Sequence, residues 1–555
     1  MNFYEKDELL QDILKESLDD ELFSWADKQL REFGALCATE IDERAAHTDR
    51  EGQPRLIKYN RFGEDQSYVW LNEGYKKTVE ETYGRGIVGY VHKEIPDLGK
   101  KGNYLYSFAQ GYLLSQTEPG FYCPVTLTMA TAYLLDRYAD SSLKEKYLPH
   151  VASTGEEELY EGATFLTERQ GGSDVGANET KAILDNGVYR LYGEKYFASN
   201  AGACGVATVL ARKEGASKGT KGLSLFLVPW RKEDGGIREG ISIRRLKDKL
   251  GVRAVPSAEV VFEGAEAFQI GEGERGFYYM MEALNLSRIC NAVASIGIMR
   301  RAYSEAFQYA TERNAFGNIL IQYPMVQDTL VELCVKLEAE VISVFELVKL
   351  YDDWCTGGST KEKDGLLRLL IALLKAETAE EAIHFSHEAI EMHGGNGYIE
   401  DFVTPRLLRD AQVLTVWEGT ANILGLEVLR LFSKYEMDKI FLGKMSVDLG
   451  YLGRNSKTRD LVVKLEEIIG ELEEELDAFR KLDSNEKTRR VKGLQKKMVV
   501  VYEAVKLLER ASKGEERDIV VATIYVNHHL GPVFSKPGER WTLSEGKLLL
   551  GLESE

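Results

Sequence analysis

The sequence predicts an α+β protein of several domains: a helical N-terminal domain, a central antiparallel β domain and a C-terminal helical bundle. Three observations support this prediction. The chain has 555 residues, more than one hydrophobic core normally holds. Helical periodicity dominates both ends, whereas short segments rich in β-branched and aromatic residues occupy the middle. Because helices and strands do not alternate, a doubly wound nucleotide-binding fold is disfavoured.

The changes of periodicity along the chain set the expected domain boundaries. We expect the N-terminal helical domain over residues 1–160, the β domain over 161–275 and the helical bundle over 276–435. A further helical extension is expected over residues 436–555, because "RDLVVKLEEIIGELEEELDAFRKL" carries apolar residues at helical spacing. The chain has no internal repeat and no low-complexity linker.

Composition limits the class of protein and its partners. The net charge of -19 argues against nucleic-acid binding over the whole surface but leaves room for a local basic patch. The six cysteines form no CxxC pair and indicate ordinary buried thiols in a reducing compartment. The N-terminus lacks the pattern of a signal peptide, and no segment has the length of a membrane span. We therefore expect a cytoplasmic protein without membrane contact.

Two patterns suggest chemistry that the context does not support. "GEGERG", residues 271–276, matches G-x-G-x-x-G, but the acidic residue that dinucleotide binding needs about twenty positions later is missing. A glycine-rich turn that leads into a helix is the better interpretation. His384, His387 and His393 lack the spacing of a metal-binding helix and have no further ligands nearby. The sequence therefore predicts no metal site.

Four further segments are compatible with ligand binding and equally with ordinary structure. "LTERQGGSDVGANET" could bind a phosphate through its backbone or form a β-turn. "KYFASN" places Phe197 and Ser199 on one side of a strand, where they could line a planar ring or pack a sandwich. In "ATERNAFGN", Arg313 could bind a pyrophosphate or complement a helix C-terminus. "EMHGGNGY" ends a helix in paired glycines, which suit a C-cap or a close approach to a ligand.

The segment "TVWEGTANIL" sets Glu418 between an indole and a glycine. Its carboxylate could complement the dipole at the start of a helix. It could also act as a base, if substrate binding removes water from it and raises its pKa towards neutrality. The residues alone leave both interpretations open.

Taken together, these segments resemble a known family. "TFLTERQGGSDV", "GEKYFASN", "GEGERGF", "TERNAFGN", "MHGGNGY" and "VWEGTANI" follow the order found in the acyl-CoA dehydrogenase family of flavoproteins, over roughly residues 100–435. Within that family the chain most resembles the adaptive-response AidB group, on account of "CPVTLTMATA", "TERQGGSD", "RRLKDKLGVR" and the C-terminal helical extension. The family fold has the order helical domain, β domain and helical bundle.

The resemblance implies a non-covalent FAD and a set of residues around it. Arg313 and Phe316 match residues that reach the FAD of a neighbouring subunit, so it implies a homodimer or homotetramer. This chain has Glu391, Asn422 and Asn285 where relatives carry two glutamines and an acidic substrate contact. The implied cofactor-binding residues are Leu166, Thr167, Ser173, Phe197, Ser199, Arg313, Phe316, Gly394, Gly395, Trp417, Thr420 and Asn422. The implied substrate-binding residues are Ser173, Asn285, Arg288 and Gly419.

Glu418 matches the catalytic base of the family. The reaction removes the α-proton of an acyl thioester while hydride leaves the β-carbon for flavin N5. In the family, hydrogen bonds to the thioester carbonyl, one of them from the backbone N–H of this glutamate, acidify that proton. Some members carry the base one residue before an arginine on an earlier helix. That position here is Ser287, before Arg288, so Glu418 is favoured.

Two main functions are compatible with these motifs. The first is an FAD-dependent acyl-CoA dehydrogenase that passes electrons to an electron-transfer flavoprotein. The second is an AidB-like nucleic-acid-binding flavoprotein of the alkylation-damage response, with minor dehydrogenase activity. Its candidate DNA contact, within residues 487–497, is the basic cluster of Lys487, Arg489, Arg490, Lys492, Lys496 and Lys497. A solvated helix face that balances nearby acids is the favoured interpretation of this cluster, because basic runs without interleaved aromatic residues usually lie on the surface. An acyl-CoA oxidase is a third, less favoured option.

Overall fold

The computed structural model describes residues 2–232, 235–358, 360–452, 458–530 and 541–552. The chain divides into two compact units, here called the N-terminal unit (residues 1–290) and the C-terminal unit (residues 291–555). The long helix α9 (Gly276–Glu312) runs through this division, so that its first half belongs to the N-terminal unit.

The first part of the N-terminal unit is mainly helical, as the sequence predicts. Five of its eight helices begin where a short polar side chain accepts a hydrogen bond from the first turn, as Asp7, Asp19 and Asn103 do. A π-helical turn over Cys37–Ile41 separates α2 from α3. The helices are α1 (Glu8–Ser17), α2 (Asp20–Leu36), α3 (Asp42–Arg50), α4 (Glu73–Tyr83), α5 (Gly89–His92), α6 (Tyr104–Ser115), α7 (Pro119–Tyr138) and α8 (Ser141–Val151).

Two small antiparallel hairpins interrupt these helices, and the sequence analysis missed both. β1 (Arg55–Tyr59) pairs with β2 (Asp65–Trp70), and β3 (Glu94–Ile95) pairs with β4 (Lys100–Lys101). The first hairpin alternates partly buried and exposed positions over only a few residues. A pattern this short is difficult to recognise as a strand in the sequence, because the longer helical segments on either side dominate the periodicity.

The β domain is a seven-stranded sheet in which most pairs are antiparallel. β11 pairs with β7, β9 and β10, and β8 pairs with β5, β6 and β9, which closes the sheet on itself. The pairs of β8 with β5 and with β6 are parallel, whereas the sequence predicted only antiparallel pairing in this domain. The strands are β5 (Gly162–Phe165), β6 (Lys181–Asp185), β7 (Val188–Ser199), β8 (Val206–Lys213), β9 (Leu223–Pro229), β10 (Ile241–Leu246) and β11 (Ser257–Ile270).

"GEGERG" forms the turn between β11 and α9, as expected for a glycine-rich lead into a helix. Gly271 and Gly273 adopt positive φ angles there, of 71° and 54°. Only a residue without a Cβ adopts such angles freely, so the glycines serve the turn itself.

The C-terminal unit is a helical bundle around α11, with one small hairpin. α11 contacts α10, α12, α13, α14 and α16. The elements are β12 (Asn314–Ala315), β13 (Asn318–Ile319), α10 (Pro324–Thr356), α11 (Lys361–His393), α12 (Thr404–Leu414), α13 (Ala421–Tyr435), α14 (Met437–Leu452), α15 (Arg459–Arg480), α16 (Ser484–Ala511), α17 (Glu516–His529) and α18 (Leu543–Leu550).

The predicted helical extension beyond residue 436 consists of α14 to α18. It is not a peripheral appendage, because α16 packs against α10, α11 and α13. Its buried face is apolar at helical spacing and includes Val491, Leu494 and Met498. The extension therefore shares one core with the bundle.

Three further expectations from the sequence concern membrane spans, the cysteines and metal sites. No helix among the described residues combines the length and the hydropathy needed to cross a membrane. All six cysteines are thiols, four of them buried as expected, whereas Cys123 and Cys355 are only partly buried. Within the same described ranges, no cluster of three or more His, Cys, Asp or Glu side chains could hold a metal ion.

Candidate functional site

Glu418 lies in the turn between α12 and α13. α12 ends at Leu414, and Thr420 is the N-cap of α13. Glu418 therefore precedes the cap and stands outside the first helical turn, where a charge complements the dipole best. Its φ is +55°, an angle that few residues other than glycine adopt. Such backbone strain often occurs at functional sites, where the surrounding structure maintains it.

Two buried polar side chains hold this turn, and the sequence analysis found neither. Asn291 Nδ2 donates to the carbonyl of Leu414 and to Glu418 Oε2, both at 3.2 Å. Lys375 Nζ donates to the carbonyl of Gly419 at 2.8 Å. Asn291 and Lys375 are 4% and 1% exposed. The carboxylate thus has a fixed position between two anchored peptide groups.

The other predicted residues of this segment flank Glu418 in sequence. Trp417 and Gly419 are half-buried, whereas Thr420 and Asn422 are exposed at the start of α13. The Thr420 side chain makes no capping hydrogen bond. The turn therefore carries, beside Glu418, two polar side chains at the surface of the C-terminal unit.

The hairpin of β12 and β13 exposes an aromatic ring. Phe316 sits at its tip with 98% of its surface exposed and a φ of +52°. Arg313, just before the hairpin, is also exposed. A large apolar side chain held in the left-handed region, without any cover from its own chain, is typical of a residue that contacts a partner.

The paired glycines predicted at the end of α11 lie on the surface above a packed support. Gly394 has a φ of +60°, and no atom lies within 4 Å of a Cβ built on either glycine. Below them, His393 is buried against the rings of Tyr309 and Phe402. Gly394 and Gly395 therefore offer open backbone on a rigid base.

In the N-terminal unit, Glu168 organises the loop that follows β5. Its carboxylate accepts hydrogen bonds from Lys195 Nζ at 2.7 Å and from Thr180 Oγ1 at 2.6 Å. It also accepts from the backbone N–H groups of Glu179 at 2.6 Å and Thr180 at 3.2 Å. Burial raises the pKa of Glu168, but the Lys195 ammonium and these donors outweigh burial and hold the pKa below its ordinary value.

This buried ion pair fixes the predicted cofactor-binding loop. The carbonyl of Leu166 accepts from Asn178 Nδ2 at 3.0 Å, and the carbonyl of Thr167 accepts from the Tyr196 N–H at 3.0 Å. Ser173 is exposed at the end of the loop. The loop is thereby attached to β7 through its backbone, while its hydroxyl groups stay accessible.

A β-bulge in β7 sets the direction of Phe197. Ala258 and Val260 of β11 pair with Ala198 and Lys195, so that β7 has one extra residue between the two pairs. Lys195 consequently points into the core, with no exposed surface, and Phe197 points outward with 55% of its surface exposed. Period-two alternation alone would have placed Lys195 and Phe197 on the same side.

The outward face of β7 next to the bulge is aromatic and includes Lys247, which is paired with Glu259. Lys247 Nζ lies 3.3 Å from the ring centroid of Tyr196 and 4.8 Å from that of Phe197. Ser199 Oγ is 3.2 Å from Ser257 Oγ. The face thus combines an exposed ring, an ion pair and hydroxyl groups, which suits a planar ligand with polar substituents.

The predicted substrate residues on α9 form one contact. Arg288 Nη1 donates to Asn285 Oδ1 at 3.1 Å. Arg288 and Ser287 are buried, and Asn285 is partly exposed. Asn285 therefore contributes one uncharged contact to the guanidinium.

Comparison with known proteins shows what this arrangement is similar to. Residues 1–157 match the family model for the adaptive response protein AidB N-terminal domain. Residues 163–265 and 274–431 match the models for the acyl-CoA dehydrogenase middle domain and C-terminal domain.

Individual relatives cover most of the chain. Acyl-CoA dehydrogenase family member 11 from Caenorhabditis elegans is 35% identical over 474 residues, which is 83% of this chain and 75% of that protein. The putative acyl-CoA dehydrogenase AidB from Escherichia coli (strain K12) is 32% identical over 391 residues, 69% of each chain. The crystal structure of C. elegans ACDH-11 in complex with C11-CoA superposes with a TM-score of 0.87 at 29% identity, over 98% of this chain and 94% of that one.

Proposed function

Because the chain belongs to the acyl-CoA dehydrogenase family, we propose that it oxidises the Cα–Cβ bond of a saturated acyl-CoA with Glu418 as the base. The family uses FAD, and the protein is an FAD-dependent oxidoreductase. The observation that carries the proposal is the fixed carboxylate of Glu418, hydrogen-bonded to the buried Asn291 and followed by a peptide group anchored on Lys375. A base in a defined position removes a proton far faster than a mobile one.

The residues proposed to bind FAD fit such a group. Phe197 exposes an aromatic ring beside Lys247, the loop up to Ser173 is rigid and accessible, and the glycines at 394 and 395 leave open space. FAD, when bound, supplies the acceptor for the hydride that leaves the substrate β-carbon. We propose that these residues hold it, together with Leu166, Thr167, Ser199, Arg313, Phe316, Trp417, Thr420 and Asn422.

The chain itself performs the proton transfer. Glu418 takes the α-proton of the thioester on its carboxylate, and the Asn291 amide holds this carboxylate in place through Oε2. The anchored turn positions the backbone N–H of Glu418 for the thioester carbonyl, where negative charge develops. We propose that Ser173, Asn285, Arg288 and Gly419 contact the acyl-CoA.

Anaerobic titration with acyl-CoA thioesters tests this proposal. We expect saturated acyl-CoAs of at least one chain length to bleach the oxidised flavin absorbance of the holoenzyme, and the enoyl-CoA product to form in equal amount. Adding an electron-transfer flavoprotein should restore the oxidised spectrum, whereas rapid reoxidation by oxygen with release of peroxide would indicate an oxidase. A panel of short, medium, long and branched acyl-CoAs that all leave the flavin oxidised would refute the proposal.

Phe316→Ala should weaken retention of FAD and subunit association without unfolding the chain. Removing a ring that is 98% exposed in the single chain affects stability little, but a ring buried by a partner contributes about 1.5–3 kcal/mol. We expect roughly a tenfold or greater loss of FAD affinity, together with a smaller mass in solution.

Phe62→Ala is the matched control, because Phe62 is 75% exposed near the tip of the hairpin of β1 and β2. Analytical ultracentrifugation and FAD titration of the apoprotein measure both effects. Equal mass and equal FAD affinity in Phe316→Ala and the parent protein would show that Phe316 has no partner contact.

DNA binding through residues 487–497 is the second candidate, and the structure reduces the charge available for it. Arg489 and Arg490 both pair with Glu486, and Lys497 pairs with Glu475. We expect at most weak retardation of duplex DNA, lost between about 50 and about 200 mM salt. Replacing Lys492 and Lys496 by alanine should abolish it; strong binding unaffected by this change would place the DNA contact elsewhere.

A further inference from the structure

The Glu418 carboxylate shares its hydrogen-bond donor with a backbone carbonyl of the same C-terminal unit. Asn291 Nδ2 donates to Glu418 Oε2 and to the carbonyl of Leu414, both at 3.2 Å. An amide nitrogen carries two hydrogens, so these two acceptors use its full donor capacity. The whole nitrogen end of the amide therefore serves the turn that carries the proposed base.

The carbonyl of Leu414 determines which end of the Asn291 amide faces Glu418. A carbonyl oxygen only accepts hydrogen bonds, so the amide nitrogen has to lie beside it. A flipped amide would set Asn291 Oδ1 against the oxygens of both Leu414 and Glu418. Asn291 is consequently held as a donor towards the carboxylate, whatever the protonation state of Glu418.

This arrangement leaves the other end of the amide unpaired. Asn291 is 4% exposed, and its Oδ1 has no hydrogen-bond partner among the residues that the structure describes. A buried oxygen without a donor is uncommon in native proteins and lowers their stability. An apolar side chain of similar volume would avoid this cost if position 291 served packing alone. The donated hydrogen bonds are therefore the property that distinguishes asparagine here.

Charged side chains lie on each helix next to the turn, and variants of the amide leave all of them in place. They are Arg288, one turn before Asn291 on α9, Lys375 on α11, Arg406 and Asp410 on α12, and Glu427 on α13. Lys375 also anchors the turn itself, through the carbonyl of Gly419. Because these charges are the same in the parent protein and in variants at position 291, such variants isolate the effect of the amide.

We propose that Asn291 is a positioning residue that keeps the Glu418 carboxylate ionised in the free enzyme and thereby sets the lower pH limit of the reaction. An N–H donor binds an ionised carboxylate more strongly than a neutral carboxyl group, so this hydrogen bond opposes protonation of the base before substrate binds. A base that is already ionised takes the α-proton of the bound thioester directly. The inference rests on the proposed function, in which Glu418 is the base.

Infrared spectroscopy of the holoenzyme without substrate measures this ionisation directly. The C=O stretching band of the protonated carboxyl is assigned with Glu418→Gln and followed as the pH is varied. In Asn291→Leu the midpoint of the titration should rise by about one to two pH units, because a hydrogen bond to a charged acceptor is lost. Asn291→Asp has the shape of asparagine and should raise the midpoint further, since a second carboxylate then lies against Glu418.

Reduction of the flavin at subsaturating acyl-CoA provides a second readout, because this rate reports ionisation in the free enzyme. The acidic limb of its pH profile should move in Asn291→Leu by the same amount as the infrared midpoint, and the rate should recover at alkaline pH. A residue that only supported the fold would slow the reaction equally at every pH. Ser295→Ala is the matched control, because it removes a buried hydrogen bond to the backbone carbonyl of Asn291 and should leave the limb in place.

The infrared midpoints decide the inference independently of catalysis. A midpoint in Asn291→Leu within about 0.3 pH unit of the parent value would overturn it. A midpoint in Asn291→Asp below the parent value would overturn it as well. If both midpoints rise as expected but acyl-CoA leaves the parent flavin oxidised, the proposed function fails while the effect of Asn291 on Glu418 stands.

Discussion

Glu418→Gln should slow reduction of the flavin by acyl-CoA on the order of 10⁴-fold while FAD stays bound. The amide cannot accept the α-proton, whose loss starts the reaction. The glutamine oxygen still accepts the 3.2 Å hydrogen bond from Asn291 Nδ2, so the turn keeps its shape. Stopped-flow absorbance measures the rate, and the flavin spectrum of the purified variant reports cofactor content.

Glu436→Gln is the control for this substitution. Glu436 is a second glutamate at positive φ, +51°, and it is exposed at the end of α13. Its replacement should leave the rate of reduction within about twofold, because a side chain at the surface outside the site takes no part in the reaction.

A further measurement separates a catalytic role from a structural one. Exchange of the substrate α-proton with deuterated solvent should stop in Glu418→Gln, whereas the affinity for acyl-CoA should change little. Retention of more than a few per cent of the parent rate, with FAD bound, would exclude Glu418 as the base.

Lys336→Met should lower the unfolding free energy of the C-terminal unit by roughly 3–5 kcal/mol. Lys336 Nζ lies 2.9 Å from Glu340 Oε1, 3.2 Å from Glu377 Oε1 and 2.9 Å from Glu503 Oε2. All four side chains are buried. Three carboxyl groups on α10, α11 and α16 therefore share one ammonium, and its removal leaves them without a counter-charge.

The shared ammonium changes the proton affinity of the cluster. Burial lowers the pKa of Lys336, but the charges of Glu340 and Glu503 raise it well above its ordinary value. Burial and Glu503 raise the pKa of Glu340. Its 2.9 Å contact with the Lys336 ammonium lacks the angles of a hydrogen bond, and the described residues donate no other hydrogen bond to its oxygens. The lysine therefore stays charged, and Glu340 is the carboxyl that holds a proton most readily.

Urea and thermal unfolding of the holoprotein measure the effect of Lys336→Met. We expect the Tm of the transition that melts the C-terminal unit to fall by about 10 °C. Lys349→Met on the same helix removes a partly exposed ion pair with Glu346 and should cost less than about 1 kcal/mol. If Lys336→Met also lowered the unfolding free energy by less than about 1 kcal/mol, the ammonium would not be required to stabilise the three carboxyl groups.

Glu340→Gln should have the opposite effect, with a defined pH dependence. Because the folded protein binds the Glu340 proton more tightly than the unfolded chain does, stability falls as the pH rises above the ordinary glutamate pKa. Glutamine removes this loss, so the stability of the variant relative to the parent should increase with pH. A difference that is constant between pH 5 and pH 8 would contradict the raised pKa.

The sequence by itself determined the order of helical, β and helical segments and the helical nature of the extension. It also singled out the exposed turns at Phe316 and Gly394 and the segment around Glu418. All of these are local properties, because periodicity reports which face of one element is buried, and glycine positions report backbone geometry. The family order of the motifs added the FAD-dependent chemistry.

Only the tertiary structure decided which polar groups meet. Asn291 and Glu418 lie 127 positions apart, and Lys336 and Glu503 lie 167 apart. In sequence, Lys375 and Lys195 look like ordinary surface lysines, and the bulge that turns Lys195 inward depends on its pairing with β11. The partner of a buried charge is set by packing between distant elements, which no local pattern encodes.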